Sequence, residues 1–278
     1  MRLFPLPDVG ERSPLLQIKV GVHLASLKQP FKKALETAAR IGADAVEIDA
    51  RNHIKPSEMT RTAVRHLHKK LSDLNLKVSA VTFQTRRSYS DVDGIEQRVE
   101  ATKAAMKMAY DLGCHVVVNQ IGKVPDRPAE DSESIERNLL IATLSEIGKE
   151  SQRVGAFLAA RTGTEEGATM LDLIDDLPTG SLVVDFDPGN LIINGFSAAE
   201  AVKSLGQFIQ HVHARDGVQD LAQGRGIEVP LGRGSADFPN LLGNLEEHQY
   251  HGYLTVQRDQ AEDPISEVAN AIEFLKNI

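Results

Sequence analysis

Eight times along this chain a short apolar stretch is followed by a longer amphipathic one of helical period, and that alternation is the strongest constraint on its fold. Each helix returns the chain to the start of the next strand, so the strands must lie parallel with right-handed crossovers. Two of the apolar runs show how the strands are used. In 181–190, Leu182, Val184 and Phe186 alternate with Val183, Asp185 and Asp187, which puts two carboxylates on the face opposite the apolar one. In 210–216, Val212 lies on the apolar side, with His211 and His213 on the other. Buried acids and imidazoles at the ends of neighbouring strands are costly unless they pair, bind metal or bind substrate.

The remaining strands read as 18–24, 43–49, 77–83, 115–119, 155–161 and 251–257. Helices are expected at 31–41, 56–74, 92–112, 132–153, from Thr164 onward behind a capping pattern, near 198–205, and at 237–248 and 265–276. A long loop fills 217–234. Residues 1–16 carry three prolines and no period, and read as an N-terminal extension to a single domain over 17–278. Eight βα units in this length predict a single (β/α)8 TIM barrel. A doubly wound open sheet is the alternative, but no Gly-x-Gly-x-x-Gly turn follows the first strand. With 41% hydrophobic residues, 5% aromatic and no Trp, the core is expected to be Val, Ile, Leu and Ala, as packed parallel strands prefer.

A formal net charge of -8 and the lack of a Lys/Arg run argue against a nucleic-acid partner. The single cysteine, Cys114, reads as a small core residue; it rules out an intramolecular disulfide and is compatible with a reducing compartment. No apolar run is long enough to cross a bilayer or to serve as a signal peptide, so a cytoplasmic protein with no membrane partner is expected.

In a barrel of this kind, function is sought at the C-terminal strand ends. The face opposite the aliphatic one contributes His23, Glu47, Asp49, Arg161, Asp185, Asp187, His213 and Gln257 there. Asp185 and His211 lie one step deeper and read as satisfied layer residues, while His23 and Glu47 could pair with each other. The loop 84–89 offers Arg86, Arg87 and Tyr89 to a phosphate, although solvated loop charges explain it as well. Gln120, just past the fourth strand, is a further candidate contact.

Gly-Ala-Asp-x-Val-Glu on strand two, Asp-Pro-Gly-Asn on strand six, His-Val-His-x-Arg-Asp on strand seven and Leu-Gly-Arg-Gly-Ser-x-Asp-Phe before the final Gly-Tyr-Leu-Thr-Val strand resemble the xylose isomerase-like sugar isomerase and epimerase superfamily. The resemblance runs from about Ile18 to Ile278. In members similar to the tagatose epimerase group it implies a divalent metal held by Glu, Asp, His and Glu on strands five to eight. That metal polarises a ketose carbonyl while the two glutamates move a proton.

Carried over by position, Asp187 and His213 match two ligands, whereas Arg161 and Gln257 stand where the glutamates would be, and Asn190 stands where many relatives carry His. Arg233 likewise replaces an acid in 232–235. A permanent cation beside one carboxylate and one imidazole predicts a degenerate site, with no cofactor expected and weak divalent binding left open. Arg161 is expected to fill the vacated position and pair with Asp187. The expected catalytic set is Glu47, Arg161, Asp187 and His213, with His23, Arg86, Gln120, Asn190, Arg233 and Gln257 as substrate contacts. The implied partner is a small carbohydrate or sugar phosphate, and the resemblance leaves a homo-oligomer open. Three functions follow: a sugar or sugar-phosphate isomerase or epimerase with a rearranged mechanism, a member without catalysis that binds a polyol or anion, or an abasic-site endonuclease-like enzyme. The last would need many more metal ligands and a basic face.

Overall fold

The computed structural model describes residues 18–129, 133–222 and 224–278. The extension expected at 1–16 and the helix start expected at Ser132 lie outside the described residues. Eight strands close a barrel: β1 (Val20–His23), β2 (Ala45–Asp49), β3 (Lys77–Thr82), β4 (Val116–Asn119), β5 (Phe157–Arg161), β6 (Val183–Phe186), β7 (Ile209–Ala214) and β10 (Leu254–Val256). Each pairs in parallel with its neighbours, β1 joining β10 to complete the ring. The (β/α)8 reading is therefore correct.

The outer layer is α1 (Phe31–Arg40), α2 (Arg61–Asp73), α3 (Ile95–Asp111), α4 (Ile135–Val154), α5 (Gly167–Asp175), α7 (Ala198–Leu205), α8 (Phe238–Glu247) and α9 (Pro264–Lys276). Several start where a short polar side chain can take an orphan backbone N–H. Thr60 accepts from Ala63, Ser134 from Arg137, Ser197 from Glu200 and Asp263 from Ser266. Leu35, Leu140, Leu144, Ile147, Leu173, Val202 and Leu275 from these helices are fully or almost fully buried against the outer strand faces, where Val22, Val46, Ile48 and Val184 lie. Cys114 is buried, as expected of a small core residue.

Two features depart from the expectations. The stretch read as one loop, 217–234, contains an antiparallel ribbon of β8 (Asp216–Val218) and β9 (Ile227–Val229). A short helix, α6 (Pro188–Ile193), also follows β6 at once. Asp187 caps it by accepting from Asn190 N at 2.8 Å, and Pro188 suits its first turn. Gly189 lets it lie close to the end of β7, since a Cβ there would come within 2.9 Å of Arg215 and Asp216.

Two register shifts bear on the site. The β2–β3 pairing slips between Val46 and Glu47, and the β6–β7 pairing slips between Val184 and Asp185. Such irregularities re-aim the side chains that follow them. Among the described residues, no helix is long and apolar enough to cross a membrane.

Candidate active site

Strand parity turns His23, Glu47, Thr82, Asn119, Arg161, Asp185, His211, His213, Thr255 and Gln257 away from the helical layer, and all are buried. At their centre is Asp185. Its Oδ1 lies 2.8 Å from His211 Nδ1, and both its oxygens lie 2.8 Å from His213 Nδ1. Arg161 Nε donates to Asp185 Oδ2 at 3.0 Å. On the other side of His213, Nε2 stands 2.7 Å from Glu47 Oε2, out of line for a hydrogen bond; that oxygen has no hydrogen-bond partner among the described residues. Thr82 donates to Oε1 of the same glutamate.

These distances set the charges. Burial disfavours a charged His213, and so does Arg161, but Asp185 and Glu47 outweigh both and hold its pKa up to about 9. Burial likewise disfavours the Glu47 carboxylate, yet His213 against it holds its pKa down to about 2. Asp185 is buried too, but His213, Arg161 and His211 keep it well below the usual carboxylate range. His23 is different: burial dominates, and its pKa falls to about 4 although Glu47 pulls the other way. Near neutral pH the centre therefore holds carboxylates at Glu47 and Asp185, cations at Arg161 and His213, and a neutral imidazole at His23. Since both Arg161 and a charged His213 are donors, the 2.8 Å approach of Nη2 to His213 Nε2 is a contact between cations, tolerated because Asp185 binds both.

The expected pairing of Arg161 with Asp187 is present as a 4.0 Å ion pair from Nε to Oδ2, but it is not the tighter one. The β5–β6 register sets Arg161 directly opposite Asp185, which takes the hydrogen bond. The shorter partner of Asp187 is Arg215 Nη1 at 3.1 Å, and Asp187 also caps α6. The other proposed pair, His23 with Glu47, is replaced: His23 Nδ1 lies 3.3 Å from Ser26 Oγ, while Glu47 faces His213 and Thr82. Asp49 organises its own turn, accepting from Arg51 N and Asn52 N.

Around the centre lies a second ring of charge. Arg215 also donates to Glu228 at 3.2 Å and to Asp259 at 3.3 Å. Gln257 Nε2 donates to both Asp259 oxygens at 3.0 Å, and its Oε1 is buried without a hydrogen-bond partner among the described residues. Asn190 is half-buried and donates to Thr162 O at 2.7 Å. Arg86, Gln120 and Arg233 are exposed, and among the described residues none hydrogen-bonds to the buried cluster. Tyr89 is not a loop residue open to phosphate but is fully buried, its hydroxyl shared with Thr102 and Asn119; Arg87 is tied to Asp91 and Asp93. Arg215, Thr255 and Asp259 were missed from the sequence. Parity would have found Thr255, which lies within β10 two residues before Gln257; Arg215 and Asp259 lie past the ends of β7 and β10, where parity no longer applies.

A divalent metal at the four family-equivalent positions would meet a poor donor set. Arg161 brings a guanidinium and Gln257 a neutral amide, Asp187 is engaged by Arg215, and His213 is held in its protonated form. Glu47, His211 and His213 also offer ligand atoms within 4.8 Å of one another. There too His211 uses both nitrogens, on Asp185 and Thr255, and Arg161 stands 2.8 Å from His213. Neither set fits a dication without breaking buried hydrogen bonds.

A closed parallel barrel with acid, imidazole and guanidinium groups inside its strands defines the class of molecule. The chain belongs to the Xylose isomerase-like TIM barrel family, whose model matches residues 35–278. An uncharacterised protein of Methanocaldococcus jannaschii is 25% identical over 94% of this chain and 91% of its own length. An inosose dehydratase of Bacillus thuringiensis is 24% identical over 75% of this chain and 76% of its own. Among solved structures, a xylose isomerase domain protein from Planctomyces limnophilus superposes with a TM-score of 0.81 at 22% identity, covering 95% and 97% of the two chains. A D-allulose 3-epimerase from Methylomonas sp. reaches 0.71 at 18% identity, covering 94% and 96%.

Proposed function

We propose that this chain is an isomerase or epimerase acting on a small polyol or anionic carbohydrate, with Arg161 carrying the positive charge that a divalent metal carries in the sequence resemblance. The observation behind this reading is how Arg161 is held. Nε is fixed on Asp185 and Nη2 lies against His213, while Nη1 has no hydrogen bond among the described residues. A guanidinium fixed in this way can receive developing charge on a substrate oxygen without first reorganising. The matches to an inosose dehydratase and to a D-allulose 3-epimerase support a polyhydroxylated ligand.

The two buried groups beside Arg161 then divide the proton work. Glu47 takes a proton from the carbon next to the carbonyl; the C–H electrons form the new C=C bond, and the carbonyl π electrons move onto oxygen. His213 gives its proton to that oxygen. At rest Glu47 is a weak base, because the imidazolium 2.7 Å away stabilises its charge. Once His213 releases its proton that stabilisation goes and Glu47 becomes more basic, so the two transfers favour each other. Returning the proton to the opposite face, with the oxygen's proton going back to His213, gives an epimer; returning it to the former carbonyl carbon, with the other hydroxyl of the enediol giving its proton to His213, gives an aldose–ketose isomer.

The test is deuterium incorporation from D2O into a panel of ketoses, inososes and sugar phosphates, followed by NMR with a chelator present. Exchange at the carbon next to the carbonyl that survives the chelator and disappears in Glu47→Gln is expected. Exchange that needs added metal would refute the assignment of Arg161. The absence of carboxylates at 161 and 257 also favours a member that only binds its ligand. That reading takes over if a panel compound raises the melting temperature and none exchanges.

A further inference from the structure

A buried chain of hydrogen bonds leaves the candidate site in the direction away from its mouth. From His213 it passes over 2.8 Å to Asp185, over 2.8 Å to His211 Nδ1, and from His211 Nε2 over 2.8 Å to Thr255 Oγ1. Thr255 then donates to Ser79 Oγ at 3.0 Å. Asp185, His211, His213 and Thr255 are at most 1% exposed. Ser79 differs, because it is part of the wall of a cavity of about 790 Å³ at the N-terminal end of the barrel. That cavity is also lined by Lys77, Val116, Ile209 and Tyr253, which sit at the starts of their strands. Gly21 keeps the path open: a Cβ there would lie 2.6 Å from Thr255 Oγ1 and 3.0 Å from Ser79 Oγ.

Buried polar chains are expensive to assemble, and an alternation of imidazole, carboxylate and hydroxyl is one that can pass a proton along its length. We infer that His211, Thr255 and Ser79 form a proton relay that connects His213 to water in the cavity at the far end of the barrel. The inference rests on His213 being the proton carrier of the proposed function. The step balances as a proton shift. With Asp185 ionised, His211 Nδ1 carries the proton it shares with Asp185, and Nε2 faces the Thr255 hydroxyl. When His213 is neutral with its proton on Nε2, the His211 Nδ1 proton passes to Asp185 and on to His213 Nδ1; His211 Nε2 takes the Thr255 hydroxyl proton, Thr255 takes that of Ser79, and Ser79 takes one from a cavity water. Every group ends with the number of protons it began with, except that His213 has gained one and the water has lost one. Donation from Thr255 to Ser79 is the arrangement this transfer leaves, and hydroxyl rotation with return of the His211 proton to Nδ1 resets the path. A relay of this kind lets the site equilibrate its proton with solvent while a bound substrate closes the mouth.

The test reads exchange rather than turnover. Protein labelled with 15N-histidine is moved into D2O, and loss of the His211 and His213 ring N–H signals is followed by NMR. Thr255→Val keeps the side-chain shape and removes the hydroxyl; it is expected to slow ring exchange at least tenfold, while Thr255→Ser keeps the parent rate. Ser79→Cys, with a weak donor at the same place, should slow it as well. Exchange at the parent rate in both Thr255→Val and Ser79→Cys overturns the relay, because the protons must then leave through the mouth. If Thr255→Val does not fold, the Ser79→Cys result decides in the same way. Failure to find a substrate leaves this readout intact, so the relay and the proposed activity fail separately.

Discussion

Between pH 6 and pH 9 the folded protein should lose about 3 kcal/mol of stability through His213 alone. The folded pKa is about 9 against 6.5 for an unperturbed imidazole. A raised pKa means the folded state holds the proton more tightly, so this stabilisation is complete below 6.5 and is lost as pH rises through 9. A separation of that size corresponds to roughly 3 kcal/mol at about 1.4 kcal/mol per pKa unit. Glu47, whose folded pKa is about 2, contributes equally at both ends of this range and drops out. His23 works in the opposite sense: its folded pKa of about 4 lies below its unfolded value, which removes about 1 kcal/mol at pH 6 and nothing at pH 9. His213 and His23 together should therefore give a fall of about 2 kcal/mol in urea unfolding free energy from pH 6 to pH 9. Repeating the titration with His213→Gln separates the terms. That variant should lose the fall and rise slightly instead. If parent and variant give parallel curves over this range, His213 is not protonated between Asp185 and Glu47, and the charge assignment of the site is wrong.

Arg161→Met should destabilise the fold by about 3 kcal/mol in urea melts, because it leaves Asp185 buried with one charged partner fewer, and adding Asp185→Asn should recover part of the loss. Joint replacement of Arg161 and Gln257 by glutamate supplies the acids missing from strands five and eight. Calorimetric titration should then show manganese binding that the parent lacks, and equal isotherms would mean that the positional match to the family ligands is wrong. Asp216 accepts from the backbone N–H groups of Gly217, Gly232, Gly234 and Ala236. Asp216→Ala should accordingly cost about 3 kcal/mol and accelerate amide exchange at 232–236, with little effect on the barrel strands.

The order of strands and helices was legible because each strand's polar parity is interrupted by a helix of clear period. That parity also located His23, Glu47, Arg161, Asp185, Asp187, His213 and Gln257 on the inner side, where the structure has them. Who pairs with whom was not legible. Matching by strand position put Arg161 with Asp187, which it does face at 4.0 Å, whereas the register gives the hydrogen bond to Asp185, and the slip after Val184 then brings Asp185 level with His211. Backbone register of this kind depends on the closure of the whole barrel and leaves no local mark in the chain. The ribbon escaped notice for a related reason. The strand Ile227–Val229 is only three residues long, and what holds it is Glu228, a charged residue that sequence reasoning assigns to solvent.

Glu228 decides which side of the site can serve as a doorway. Its carboxylate gathers Arg215, Arg258 and the backbone N–H groups of Asp259 and Gln260. Lifting the ribbon would take one carboxylate partner from each of two mostly buried guanidinium groups and uncap a strand end in a single movement. The opposite quarter of the rim, above β3 and β4, is tied among the described residues by hydrogen bonds such as Thr85 N to Asn119, Asn119 to Tyr89 and Val124 N to Glu165, none of these three engaging a guanidinium, and Arg86 and Gln120 stand exposed there. Molecular traffic should pass over that quarter, so side chains introduced at 86 or 120 should alter the rate of ligand entry, while equally bulky changes on the ribbon face leave it untouched.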